Sequence, residues 1–554
     1  MRLRAMTVLL PIGLLVAGMW SLRWILAVDQ GLDLGDEALY ILAATAPSPE
    51  YFWTNPWGWI TRPLWQLTGE RLDGFRWGGA SLLLGSFTAL TLSVFMAAAR
   101  ASGRRIHITP GEAAAAVPIG LAAALISYSG FLRSPGYNWV NLFGMTLTVA
   151  GALLWVTMRD RVTSRPADWF VAAVVAAGLV VSGIGKPTTP IFESACLLAL
   201  GLMCSSGRQV RLLFARIAAS AAVLLLCMWS VGWLGENPVD TVALVLRQPQ
   251  LGSDQTLAGG ALVSATVGLH LALWMAQYWY FTATVAAVSF ALLADRRRSR
   301  LPGWFPVASL SLVCLMASGI WIGLLPAFSR GHNYMFRPEA VLATIGVLVV
   351  SLAVELRIHP SDQRFEQRFR AMPNRWRAAV VSFLCIQPVL YTFGSSIGPF
   401  QGMTWALGFL FLGAIFLMAT LSHRPSTALT SVVAGTMIVG SGWGMIEGRD
   451  YPYGMKPIDQ QTEAVNLGAN NYPLLVDTDM RNAIVGLKEA AQQGQMPPGT
   501  DLATVVFQWS TLPPVVLGSD PPPSLMVSLF GSPYSAKIAD FNAHRPPAGF
   551  DWRS

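Results

Sequence analysis

Long apolar runs, recurring from end to end, constrain this chain more than anything else in it. A helix of about 20 apolar residues is long enough to cross the hydrocarbon of a bilayer. Such runs are predicted to span at about 5–27, 75–99, 113–129, 139–158, 168–184, 188–204, 212–234, 273–294, 304–325, 335–356, 378–393, 403–421 and 428–445. The stretch 261–294 also has room for one span plus an interfacial helix. Only 12% of residues are charged, against 53% hydrophobic. A soluble domain carries about 25% charged residues, so an ordinary cytosolic enzyme is excluded, as is a disordered chain. The expected fold is therefore a polytopic α-helical membrane protein of about 13 spans. No repeat of about 20–50 residues runs along it.

The first run follows Arg2 and Arg4, as a signal peptide would. Its length, and the lack of a small-residue cleavage site after it, favour a permanent helix. Cys196, Cys204, Cys227, Cys314 and Cys385 all lie in apolar runs and read as small core hydrophobes, not a disulfide framework.

Basic residues orient the spans. With the N-terminus in the cytoplasm, 22 Arg and Lys fall on cytoplasmic segments and 9 on the opposite loops, with the other 7 in the tail. That asymmetry fixes the orientation by the positive-inside rule. Thirteen spans across the cell inner (plasma) membrane then place the C-terminus outside. Residues 1–445 form the membrane module and 446–554 a small extracytoplasmic α/β domain. In that tail a helix is expected over Asp479–Gln493 with an Asp cap, and strands at 504–509, 514–517 and 525–529.

The longest loop outside the tail is the first, about 28–74. It holds seven acids, and Trp53, Trp57, Trp59 and Trp65, with Trp77 just beyond. Tryptophan favours the headgroup level, so this loop is expected to lie on the membrane as interfacial helices. Within it Gly35-Asp36-Glu37-Ala38-Leu39-Tyr40 stands out. Adjacent carboxylates at a low-dielectric surface repel one another and require positive charge nearby. Asp36 also reads as the N-cap of a helix beginning at Glu37. A capping aspartate can still face a substrate.

The other outside loops supply cations. The second carries Arg133, then Tyr137, Asn138 and Trp139, with Asn141 one turn in. The third carries Lys186, and the fifth Arg330 and His332, with Arg337 at the head of the next helix. Each is an interface anchor or part of a joint site. A carboxylate facing Arg and Lys suits a substrate with a phosphate leaving group. Charge within the spans is scarce, Glu193 being the main candidate. No phosphate loop, zinc-protease helix or serine-hydrolase elbow occurs in a supporting context.

On these features the chain resembles the GT-C superfamily of glycosyltransferases, in its protein O-mannosyltransferase and aminoarabinose-transferase-like branch. The resemblance rests on Asp36-Glu37-x-x-Tyr40 opening the first outside loop, on the length and tryptophan content of that loop, and on some thirteen helices followed by an outside domain. It implies transfer of a sugar from a polyprenyl-phosphate carrier to an extracytoplasmic acceptor, which is a glycan, lipid or protein. It implies Asp36 as general base, with Glu37 supporting or orienting it. Arg133, Lys186, Arg330 and Arg337 would hold the lipid phosphate. His332, Tyr40, Tyr137 and Asn138 would touch sugar or phosphate. The partners implied are the donor lipid, the acceptor and the bilayer, with no nucleic acid.

Some relatives carry another acid in the second outside loop. Here that loop, about 128–138, has none. One acid pair is a poor cage for a divalent metal, so metal-independent chemistry is favoured and no cofactor is assigned. The alternative function is a transporter or flippase of a lipid-linked or small polar substrate. Such a protein is expected to show two similar halves and a polar central path.

Overall fold

The computed structural model describes residues 27–32, 36–45, 57–101, 108–128, 134–158, 165–230, 374–392, 405–420, 456–467 and 472–493. The expected spans at 5–27, 273–294, 304–325, 335–356 and 428–445, and the strands expected beyond residue 500, lie outside the described residues.

Two short helices, α1 (Asp36–Thr45) and α2 (Gly58–Leu67), precede the bundle. The bundle comprises α3 (Leu72–Ala101), α4 (Pro110–Tyr128), α5 (Tyr137–Met158), α6 (Arg165–Gly185), α7 (Thr189–Cys204) and α8 (Gly207–Ser230). After the undescribed segment come α9 (Asn374–Thr392) and α10 (Leu407–Thr420). Eight of the thirteen apolar runs thus lie on described helices. Among the described residues four helices are long and apolar enough to cross a membrane: Leu72–Ala101, Tyr137–Met158, Pro166–Gly185 and Gly207–Ser230. The others are shorter or interrupted; Pro118 lies inside α4 and Pro388 inside α9.

Packing follows from small residues. Gly144 of α5 lies against the backbone of Gly178 and Ser182 in α6, and Gly178 against Thr148. Without Cβ atoms the two backbones approach closely, which is how helices associate where lipid removes the hydrophobic drive. Helix α3 packs on α4, α5 and α10, and α9 on α7 and α10. A continuous core runs between them, including Phe87, Met145, Trp376, Phe409 and Phe416. Leu212, Val223, Leu226 and Trp229 of α8 are exposed. Cys227 is exposed on that helix too, and is not the core residue expected; Cys204 is buried.

Helix directions alternate, and this puts the chemistry at one end. At one end Arg100 donates to the Thr157 carbonyl, and Arg377 to that of Ala101 at 3.2 Å. Cations there meet carbonyls at the C-termini of α3 and α5. At the other end lie α1, the start of α3, Ser134, Lys186 and the last turn of α9.

The tail adds β1 (Glu463–Leu467), β2 (Tyr472–Val476) and α11 (Thr478–Gln492). The strands form an antiparallel hairpin with Val465 opposite Leu474 and Leu467 opposite Tyr472. Those four side chains face inward, while Ala464, Asn466 and Pro473 face outward, as period-two alternation requires. Helix α11 matches the expected one, shifted by a residue. Its cap is Asp477 rather than Asp479: the Asp477 carboxylate accepts from the N–H groups of Asp479 at 3.0 Å and Met480 at 3.2 Å. Asp479 instead pairs with Lys456 in the first turn.

Candidate functional site

Glu37 is the second residue of α1 and is buried. Arg76, in the second turn of α3, is buried beside it. Their pairing is bidentate: Arg76 Nε donates to Glu37 Oε1 at 2.8 Å, and Nη2 to Oε2 at 2.6 Å. The remaining donors of the guanidinium go to backbone. Nη1 reaches the carbonyls of Val28 (2.6 Å) and Gln30 (3.2 Å), and Nη2 that of Gly31 (2.6 Å). All five N–H groups of the fork are thereby used, which a lysine could not reproduce. Ser134 Oγ donates to Glu37 Oε1 at 2.5 Å. Arg76 therefore supplies the positive charge that Glu37 requires.

Asp36 begins α1. Its side chain lies outside the described residues. So do Arg133, Arg330, His332 and Arg337.

The remaining predicted residues come together. Tyr40, one turn after Glu37, meets Trp57 edge-on at 6.3 Å and Tyr137 at 6.2 Å between ring centroids. Trp57 and Tyr137 are 5.6 Å apart. Gly136 makes room for this, since a Cβ there would run into the Tyr40 ring. Lys186, in the turn between α6 and α7, is buried with its ammonium 4.4 Å from the Tyr391 ring centroid and 5.9 Å from that of Tyr137. Its Nζ donates to the Tyr391 carbonyl at 3.0 Å. Burial pushes the Lys186 ammonium from its ordinary range down to about 7. The Tyr391 hydroxyl donates in turn to the Asn138 carbonyl at 3.4 Å.

Around this aromatic box several buried polar side-chain atoms make no hydrogen bond: Asn138 Oδ1, both amide atoms of Asn141, and Thr189 Oγ1. Buried polar groups are nearly always satisfied in the working molecule, by protein, water or ligand. A cation and several such atoms at one end of a bundle can receive an anion with attached hydroxyls. Among the described residues no group of three or more His, Cys, Asp or Glu is placed to hold a metal ion.

Trp57, Trp59 and Trp65 are buried against protein, while Trp77 just beyond the loop is exposed. Trp65 stacks edge-on against Phe75 at 5.3 Å and against Tyr472 of the tail at 6.1 Å. Trp53 lies outside the described residues.

Arg76 and Ser134 are the site residues the sequence reading missed. A signal existed for Arg76, an arginine at the head of an apolar run. Its partner 39 positions earlier was not deducible from spacing. Glu193, flagged as charge within a span, is buried beside Thr148 and Ser182.

The fold and site define a helical membrane protein with several candidate spans and a hairpin-plus-helix tail fastened to its first loop. The chain matches no family model, and neither a curated protein nor a solved structure is detectably similar to it.

Proposed function

We propose that this protein is a membrane glycosyltransferase that moves a sugar from a polyprenyl-phosphate carrier to an extracytoplasmic acceptor. Asp36 is the general base that takes the acceptor's proton, and Glu37 orients the helix start that bears it. A positioned base contributes about 10²–10⁴-fold. Lys186 lies on the donor phosphate, with Tyr40, Tyr137 and Asn138 around the sugar. Arg133, Arg330, Arg337 and His332 complete the donor site from neighbouring loops. The protein sits in the inner (plasma) membrane with this face outward, and the lipid donor enters from the bilayer.

One observation supports this reading most. Glu37 is consumed by an ion pair within the protein, while a buried cation in an aromatic box lies at the same end of the bundle. An acid pair that uses one member as anchor leaves the other as the candidate base. The rival reading, a transporter, draws on Glu193, a carboxylate buried among helices.

Mass spectrometry of lipids from a deletion strain complemented with variant genes separates the two. The transferase reading expects a polyprenyl-phosphate sugar to accumulate, and to disappear when the wild-type gene is restored but not the Asp36→Asn gene. No accumulation, or full restoration by Asp36→Asn, overturns it. Loss of restoration by Glu193→Gln alone favours transport.

A further inference from the structure

We infer that Arg76 is a positioning residue that fastens the tail and the base-bearing helix to each other through one strip of backbone, residues 28–31. This deepens the transferase reading and rests on it for its catalytic consequence.

The strip has two sides, both occupied. On one, Arg76 takes the carbonyls of Val28, Gln30 and Gly31 while holding Glu37 in a bidentate pair. On the other, the strip pairs in parallel with β2 of the tail. Gly31 N–H donates to the Leu475 carbonyl at 2.6 Å, and Leu475 N–H donates to the Asp29 carbonyl at 2.9 Å. Leu475 thus bonds the strip while its strand pairs with β1 on the opposite edge. Gly31 has a positive φ of 74°, open to glycine at little cost. That turn lets one residue offer its N–H to the tail and its carbonyl to Arg76.

The consequence is a coupling. Tyr472, in the same strand as Leu475, rests on Trp65, and Trp65 on Phe75, the neighbour of Arg76. Motion of the tail therefore pulls on the strip and ring stack that border Arg76, and through Arg76 on Glu37 and the first turn of α1. A base displaced by about 1 Å loses on the order of 10²-fold in rate. The tail can then govern transfer without contributing a reacting group.

The test places cysteines at Gln30 and Leu475 in full-length protein whose five native cysteines are replaced by Ala. Oxidative cross-linking of that pair reports docking of the tail without any assay of transfer. It is measured with Arg76 intact, with Arg76→Gln and with Arg76→Lys, each purified as a monodisperse species. The expected result is efficient cross-linking with Arg76, a loss of several-fold with Arg76→Gln, and partial recovery with Arg76→Lys. Recovery distinguishes a charge holding the strip from a side chain filling space.

In transfer assays Arg76→Gln should lower kcat while leaving the KM for the lipid donor near its wild-type value. If Arg76→Gln does not fold, Leu475→Pro serves, because it removes the N–H that donates to Asp29 and disturbs the strand edge at that one position. It should lower kcat in the same way. Cross-linking unchanged by Arg76→Gln, or unchanged kcat for a folded Leu475→Pro protein, overturns the coupling. If the deletion strain accumulates no lipid-linked sugar, the transferase reading falls whatever the cross-link shows. If the cross-link persists in Arg76→Gln, the coupling falls whatever the lipid shows.

Discussion

Glu37 and Arg76 show what the interior demands of charge at the level of single residues. Neither is solvated, so each depends on the other. Removing one partner of a buried pair typically costs about 3–5 kcal/mol, because the survivor keeps its charge without compensation. Glu37→Gln and Arg76→Gln are each expected to lose about that much thermal stability in detergent. The double variant should lose clearly less than their sum, a coupling that a double-mutant cycle measures. Lys186 makes a different prediction. Burial pushes it to about 7, against about 10.5 in an unfolded chain. Below about pH 7 both states hold the proton. Between there and about 10.5 only the unfolded chain holds it, so stability rises with pH across that window. Lys186→Met should flatten that rise in thermal melts between pH 6 and 9. If Lys186 holds the donor phosphate as proposed, donor affinity should run the opposite way, falling above about pH 7 as the cation is lost.

Elements were legible to different degrees, for physical reasons. Helices α3 to α10 announce themselves because each is a local run of apolar residues, and lipid allows little else. The short helices of the first loop follow from its length and aromatic content, but not their burial. Trp57 and Trp65 find protein partners in Tyr40, Tyr137, Phe75 and Tyr472, and composition cannot distinguish that interior from a headgroup layer. The hairpin was not foreseen. Its strands have five residues each, one contains Pro473, and the edge it pairs with lies more than 400 positions earlier in the chain. Helix α11 was foreseen one residue late because Asp477 and Asp479 are both plausible caps by type, and only geometry selects Asp477. Asp477→Ala should cost about 0.5–2 kcal/mol, read as a lower melting temperature of the tail. Asp479→Ala should cost less, since Asp479 is exposed and pairs with an exposed lysine.

At the scale of the whole molecule, a helical bundle gathers its polar chemistry at one end, and the tail is bonded to the loop that carries the acid pair. The loops bearing Glu37, Ser134 and Lys186 meet there because successive helices alternate in direction. Removing residues from about 455 onward should preserve binding of a polyprenyl-phosphate sugar but sharply reduce transfer to the natural acceptor. Such a truncation, eluting monodisperse, is compared with full-length protein by donor titration and by acceptor turnover. Equal turnover would remove the tail from the account. The proposed role of Asp36 as the group that accepts the acceptor's proton is decided by purified Asp36→Asn protein. The amide keeps the shape of the carboxylate but cannot take a proton. Asp36→Asn is expected to melt within about 1 kcal/mol of wild type, to bind the donor lipid, and to transfer sugar at least about 10²-fold more slowly. Near-normal turnover by that protein would contradict that role.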